Sequence, residues 1–397
     1  MKDKVMNSNI WKYYLFSLFR QFFLFTPILV LFFQENNLSM TEILLLQSIY
    51  SVVIVFLEIP TGAIGDHFGK KISISLGSFL FATGALVYSF GTDFYGFLIA
   101  ELIIGIGSSL ISGSDSAIIH SSLKVLKREK DYKKIEGTAN SLKLTGFMLG
   151  GLVGGWVAHY SLRLTMFSSA CFSFITFFIS LLMVEPKIII KEKHRESFKE
   201  LIINSIKIVK NHKLILWLFF YSSIIAALSY IMTWYYQPYF QLLDIPLIYF
   251  GGIYAILGLV GIIASKYVHQ IESFFGNKGS LIFLSILIII SSFFISRIVT
   301  IFGIVFLFLH QIFSGISKTI FSDRILNLIP SSKSATILSI NNLGHRFFYA
   351  LAGPFFGLLT DTYNLQVTML SLSIITLAFT IIMFVVYKFI PEHFLLK

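Results

Sequence analysis

Gly62-Ala63-Ile64-Gly65-Asp66-His67-Phe68-Gly69-Lys70-Lys71 is the stretch that decides how this chain is read. It lies between apolar runs near 41–61 and 73–91, and Glu58, Pro60 and Thr61 precede it. Glycine permits tight turning and close helix approach. Asp66 and the lysine pair supply opposite charges, each able to hold a neighbouring helix end. The pattern predicts a short polar turn at a membrane surface, joining two spanning helices.

Composition extends this reading outward. Of 397 residues, 56% are hydrophobic and 13% charged, with 43 Phe, and mean hydropathy is +0.80. A soluble domain carries roughly 25% charged residues. The net charge of +11 could suggest nucleic acid, but the bases fall in short loops between apolar spans. That pattern points to a lipid leaflet and not to nucleic acid. The single Cys171 excludes a disulfide framework or a cysteine metal cluster. The first apolar run is too long for a signal-peptide core, so no cleavable leader is expected.

A spanning helix needs about 20 mostly apolar residues. Twelve such stretches are expected, near 10–33, 41–61, 73–91, 96–118, 138–158, 164–184, 214–240, 247–268, 279–297, 301–323, 336–358 and 365–388. Bases cluster in alternate loops: Lys70 and Lys71, then six between Lys124 and Lys134, then eight between Lys187 and Lys213. Arg163 and Arg297 are the exceptions. The positive-inside rule places both termini in the cytoplasm. The fold class expected is an all-α membrane protein of two pseudo-symmetric six-helix bundles. Its domains are 1–184, a cytoplasmic linker 185–213 and 214–397. Phe198, Leu201, Ile202, Ser205, Ile208 and Val209 give the linker one apolar face, predicting an amphipathic surface helix.

Three echoes support two related halves. Phe68-Gly69-Lys70-Lys71 is answered by Phe275-Gly276-Asn277-Lys278, Glu101-x-x-x-Gly105 by Gln311-x-x-x-Gly315, and Gly150-Gly151-x-x-Gly154 by Gly353-Pro354-x-x-Gly357. Such repeats are a hallmark of carriers that hold substrate near the midplane.

The opening stretch resembles the loop between the second and third helices of the major facilitator superfamily, roughly G-x-x-x-D-x-x-G-[RK]-[RK]. Gly62, Asp66, Gly69, Lys70 and Lys71 stand at the matching places. The fifth span carries Gly137, Gly146, Gly150, Gly154 and Gly155, similar to the fifth-helix signature of drug–proton antiporters, G-x8-G-x3-G-P-x2-G-G. Gly151 occupies the proline place, which departs from that signature. The resemblance implies the twelve-helix fold and a gate latch of Asp66, Lys70 and Asp115. It also implies proton-coupled efflux of small amphipathic, drug-like molecules. A proton-coupled uptake permease for a nutrient or metal chelate is the alternative. A non-transporting sensor or scaffold is a third reading, from another class.

Ionisable residues inside spans are expensive and are functional candidates by default. Arg20 and Glu101 are expected to face a central cavity and to pair, with Glu101, Glu58 and Arg20 as proton-coupling candidates. Tyr230, His310 and Gln311 join them as cavity candidates, while His345 and Arg346 lie in the eleventh span. Trp234, Tyr235 and Tyr236 are expected in an interfacial belt. No nucleophile, metal cage or phosphate loop is recognisable, so no enzyme and no cofactor are expected; the glycine-rich turn follows no strand of an α/β unit. The expected partners are a small-molecule substrate, protons and the lipid bilayer, for a monomer in the inner membrane.

Overall fold

The computed structural model describes residues 2–186, 209–210, 212–329 and 334–390, and these are helical throughout, with short turns between. Most of the expected linker helix, from 187 to 208, lies outside the described residues. The chain divides into two compact units, Met1–Lys191 with Ile245–Ala255, and Glu192–Asp244 with Ile256–Lys397. Among the described residues, ten helical segments are long and apolar enough to cross a membrane.

The first unit contains α1 (Lys2–Arg20), α2 (Leu29–Glu35), α3 (Met40–Phe68), α4 (Lys70–Phe90), α5 (Phe94–Ile111), α6 (Ser114–Val125), α7 (Tyr132–Ala158) and α8 (Leu162–Leu182). Side-chain caps start three of them. Ser39 and Glu42 form a reciprocal capping box before α3, Asp93 accepts from Gly96 N before α5, and Ser161 accepts from Leu164 N before α8. These oxygens satisfy amides that the first helical turn leaves without partners.

The expected first span, 10–33, is not one helix. It is interrupted between Arg20 and Leu29. Pro27 disfavours helical backbone at the residue before it and offers no N–H. The interruption is satisfied locally: Phe23 N donates to Gln21 O at 2.8 Å and Ile28 N to Phe25 O at 3.0 Å. Phe25 N donates to Ser169 Oγ of α8 at 3.1 Å.

The glycine pattern of α7 is matched to this irregular stretch. A side chain at Gly146 would meet the Leu18 carbonyl, at Gly150 the Phe22–Phe23 backbone, and at Gly154 the Leu24 carbonyl. The stripe at every fourth residue therefore lets two backbones touch. Gly137 and Gly151 have open space beside them, and Gly155 packs on Gly251. α4 and α5 also meet backbone to backbone, at Gly77 and Gly107.

The stretch expected to be a ten-residue turn is mostly helix. α3 runs on through Asp66 to Phe68, and α4 begins at Lys70. The whole turn is Gly69, at φ 106° and ψ 148°. Isolated glycines and polar residues do not by themselves end a helix, whereas positive φ is readily supplied only by glycine. The fourth span is likewise divided, at Gly113 with φ 75°.

The second unit contains α9 (Lys213–Thr233), α10 (Tyr236–Leu242), most of α11 (Phe250–Lys266), α12 (Val268–Arg297), α13 (Ile304–Leu326), α14 (Ser334–Thr362) and α15 (Leu365–Tyr387). α12 breaks at Gly276, φ 67° and ψ −178°. Thus Phe68-Gly69 and Phe275-Gly276 form the same one-residue turn, a structural counterpart of the sequence echo. The core gathers on α9. Trp217 stacks on Tyr221 at 5.0 Å and donates to Met383 O at 2.6 Å, while the Tyr221 hydroxyl donates to Leu281 O at 2.7 Å. Tyr235 and Tyr236 are buried and do not form an exposed belt. Their hydroxyls find partners inside: Tyr235 donates to Phe356 O at 2.8 Å.

Candidate functional site

At the Gly69 turn, the first groups to satisfy are the amides that open α4. Glu185, just beyond α8, does this: its carboxylate accepts from Lys70 N at 3.0 Å and Lys71 N at 2.6 Å. An anion on a helix N-terminus is favoured by both hydrogen bonding and the helix dipole. Glu185 carries no motif of its own, so sequence reasoning passed over it. Asp115, expected beside Lys70, makes its ion pair with Lys143 of α7 at 3.6 Å. The Asp66 side chain lies outside the described residues. Gly65 approaches Ser114 and Ser73, whose hydroxyls are 3.3 Å apart. Gly62 has open space beside it. Glu58 is half-buried in α3, one turn before Thr61, which donates to Ser109 O of α5 at 3.0 Å.

The second unit holds its own ionic cluster next to Gly276. Arg324 of α13 donates to Glu272 at 2.6 Å and to Asp323 at 3.0 Å. Arg324 is buried, so these partners compensate a charge that is costly to bury alone.

Arg20 and Glu101 do not pair; no ion pair joins them among the described residues. The Arg20 guanidinium stacks on Phe81, 4.3 Å from the ring centre, and lies 5.9 Å from that of Phe23. Its surroundings are Ser78, Ile111, Ser173 and Thr176, inside the first unit. The Ser78 and Thr176 hydroxyls there are buried without hydrogen-bond partners among the described residues. Glu101 is buried in α5 and accepts a hydrogen bond from Gln47 of α3. The Tyr88 hydroxyl lies beside the same carboxylate, short of hydrogen-bonding geometry.

The second unit contains a cavity of about 480 Å³ between α9, α13 and α14. Ligand pockets span roughly 300–1,000 Å³. Tyr230 lines it, with its ring 5.7 Å from His345 and 4.7 Å from Tyr349. Hydroxyls and carboxamides make up much of the wall, among them Ser222, Ser229, Ser317, Asn341 and Asn342. Lys318 is also on the wall. It is an ionisable residue inside the expected tenth span, the signal that singled out Arg20, and sequence reasoning missed it.

His310 and Gln311 stand behind that wall. His310 is fully buried, with Nε2 2.7 Å from Ser229 Oγ and 3.1 Å from Ser229 O. Nδ1 is in hydrogen-bond contact with the Tyr236 hydroxyl, so both ring nitrogens are partnered. Gln311 Nε2 donates to the same hydroxyl at 3.1 Å. His310 thus reaches the cavity through Ser229.

A helical membrane bundle with a polar cavity and one-residue turns repeated in two halves defines a carrier-type fold. The Major Facilitator Superfamily model matches residues 14–348, and the chain belongs to that family. It is 25% identical over 208 residues to an uncharacterized MFS-type transporter of Methanocaldococcus jannaschii, covering 52% of this chain and 51% of the relative. It is 23% identical over 185 residues to the quinolone resistance protein NorA of Staphylococcus aureus, covering 46% and 47%. The chain therefore spans about half the length of the curated relatives it matches. Among solved structures, a variant of the nucleoside transporter NupG superposes with a TM-score of 0.84 at 15% identity, over 95% of this chain and 99% of that one. A bacterial homologue of the human lysosomal transporter Spinster gives 0.71 at 15% identity, over 91% and 83%. These likenesses show the fold.

Proposed function

We propose that this protein is a proton-coupled secondary carrier that exports small amphipathic molecules by alternating access. The reading places it in an inner membrane as a monomer, with both termini in the cytoplasm. The observation that carries it is the 480 Å³ polar cavity in the second unit. A bundle with only a structural role would fill such space with apolar side chains, as interiors are close-packed. The α7 glycine stripe, similar to that of drug–proton antiporters, and the likeness to NorA support export. Proton coupling needs a carboxyl that can change charge as its exposure changes. Glu101 meets that need: no basic group pairs with it among the described residues. Asp66, Lys70, Asp115 and Glu185 are assigned to the latch that closes one side.

The test is flux in inverted vesicles. Export predicts substrate accumulation when the vesicle interior is acid, and loss of that accumulation in Glu101→Gln. The hydroxyl- and amide-rich wall favours a second reading, uptake of a polar nutrient. Accumulation driven in the opposite direction would select it and remove the first.

A further inference from the structure

We propose that the cavity of the second unit is a site for organic anions rich in acceptor oxygens, with Lys318 as the charge that selects them. The proposal rests on the carrier reading for its purpose, and on the geometry of the cavity for its chemistry.

The wall is unbalanced in charge. Lys318 is exposed to the cavity, and among the described residues no acidic side chain lines it. Among the described residues, Lys318 has no ion-pair partner. The acid nearest to it along α13, Asp323, is bound to Arg324 at 3.0 Å. Glu272 is bound to the same guanidinium at 2.6 Å. Counter-charge for Lys318 is therefore left to whatever enters. An ionisable side chain placed within a span and turned to a cavity is a costly arrangement that needs a use.

The wall also offers hydrogen-bond donors. Asn341 Oδ1 already accepts from Ser222 Oγ at 2.9 Å, so its amide nitrogen is left to donate. Ser317 adds a further hydroxyl. Lys318 with its three donors, the Asn341 amide nitrogen and the Ser317 hydroxyl give the wall hydrogens that a ligand's oxygens can meet. Buried donors left unmade are expensive, so a ligand lacking those oxygens is rejected by more than it loses in contact. The Tyr230 ring supplies an apolar face for a flat portion of the ligand. His345 Nε2, buried on the same wall without a partner among the described residues, offers one more polar contact.

Two matched pairs of ligands isolate the charge: 4-nitrophenyl β-D-glucuronide against 4-nitrophenyl β-D-glucoside, and 4-hydroxybenzoate against 4-hydroxybenzamide. Each is titrated calorimetrically into the purified full chain, and into Lys318→Gln and Lys318→Arg. The expected result is roughly tenfold tighter binding of the anion in at least one pair. That preference is lost in Lys318→Gln and kept within about threefold in Lys318→Arg. Unchanged affinity of Lys318→Gln for the neutral partner reports that the variant is folded. Equal affinities within both pairs, binding of none of the four, or an anion preference that survives Lys318→Gln would overturn the proposal. Flux of the bound anion into proteoliposomes is measured separately. Charge-selective binding with no flux under any imposed gradient leaves the site standing and removes the carrier reading.

Discussion

Gly150→Ala and Gly151→Ala make a comparison between adjacent residues of one helix. Alanine gains up to about 1 kcal/mol over glycine in a helix interior, and this gain is common to both variants. What differs is the space beside them. A Cβ at Gly150 would stand 2.8 Å from Phe23 N, 3.0 Å from the Phe22 carbonyl carbon and 3.1 Å from Phe23 O, whereas one at Gly151 meets nothing within 4 Å. The obstructing atoms are backbone, pinned through Phe25 N and Ser169 Oγ at 3.1 Å, and cannot rotate aside. Overpacking of this kind costs about 1–3 kcal/mol. Gly150→Ala should therefore be less stable than Gly151→Ala by ~1–3 kcal/mol. The assay is the apparent thermal midpoint of the purified protein in detergent, at one fixed scan rate because the midpoint of an irreversible transition moves with scan rate. A midpoint several degrees lower for Gly150→Ala is expected. Equal midpoints, or a more stable Gly150→Ala, would refute close backbone packing as the role of the stripe.

Glu185→Ala removes two charge-assisted bonds to the start of α4 and should cost about 1–3 kcal/mol. Its signature is faster hydrogen exchange at the Lys70 and Lys71 amides, with exchange at the Ser39-capped start of α3 unchanged. Gly69→Ala meets both a φ of 106° and the Glu185 carboxyl, 3.1 Å from the new Cβ, while Gly276→Ala meets only a φ of 67° in open space. The first should lower the thermal midpoint more than the second, by about 1 kcal/mol or more. His212 caps α9 by accepting from Ile215 N at 3.3 Å, and partial burial holds its imidazole below the ordinary value of 6.5. The folded pKa being depressed, this contribution is whole above pH 6.5 and is lost as pH falls below it. Exchange at the Ile215 amide, corrected for intrinsic rate, should rise between pH 7.5 and 5.5, and His212→Asn should abolish that rise.

The apolar runs were legible because lipid admits few structures other than helices. The echo of Gly69 in Gly276 was legible because a backbone turning through positive φ calls for glycine. Turn length was not. Residues 62–68 look like loop, yet they are helical to Phe68, with Gly65 set against Ser73 and Ser114. The break after Arg20 was signalled by Pro27, but a continuous apolar run concealed it. Side-chain facing was illegible in helices that are apolar all round. Arg20 was therefore expected to face Glu101, when it turns to Phe81. His310 was expected in the cavity, when it stands one side chain behind it. Lys318 and Glu185 were each single charges without a motif, and only their three-dimensional surroundings distinguish them.

Gly69 and Gly276 leave no slack between the helices they join. One helical residue added in the first turn of α4 would rotate the rest of that helix by about 100° relative to α3. Gly77 would then swing away from Gly107, and a bulkier face would be driven into α5. Surface turns elsewhere absorb insertions and deletions readily; these two cannot. Natural variants should keep both glycine and residue count at these two points.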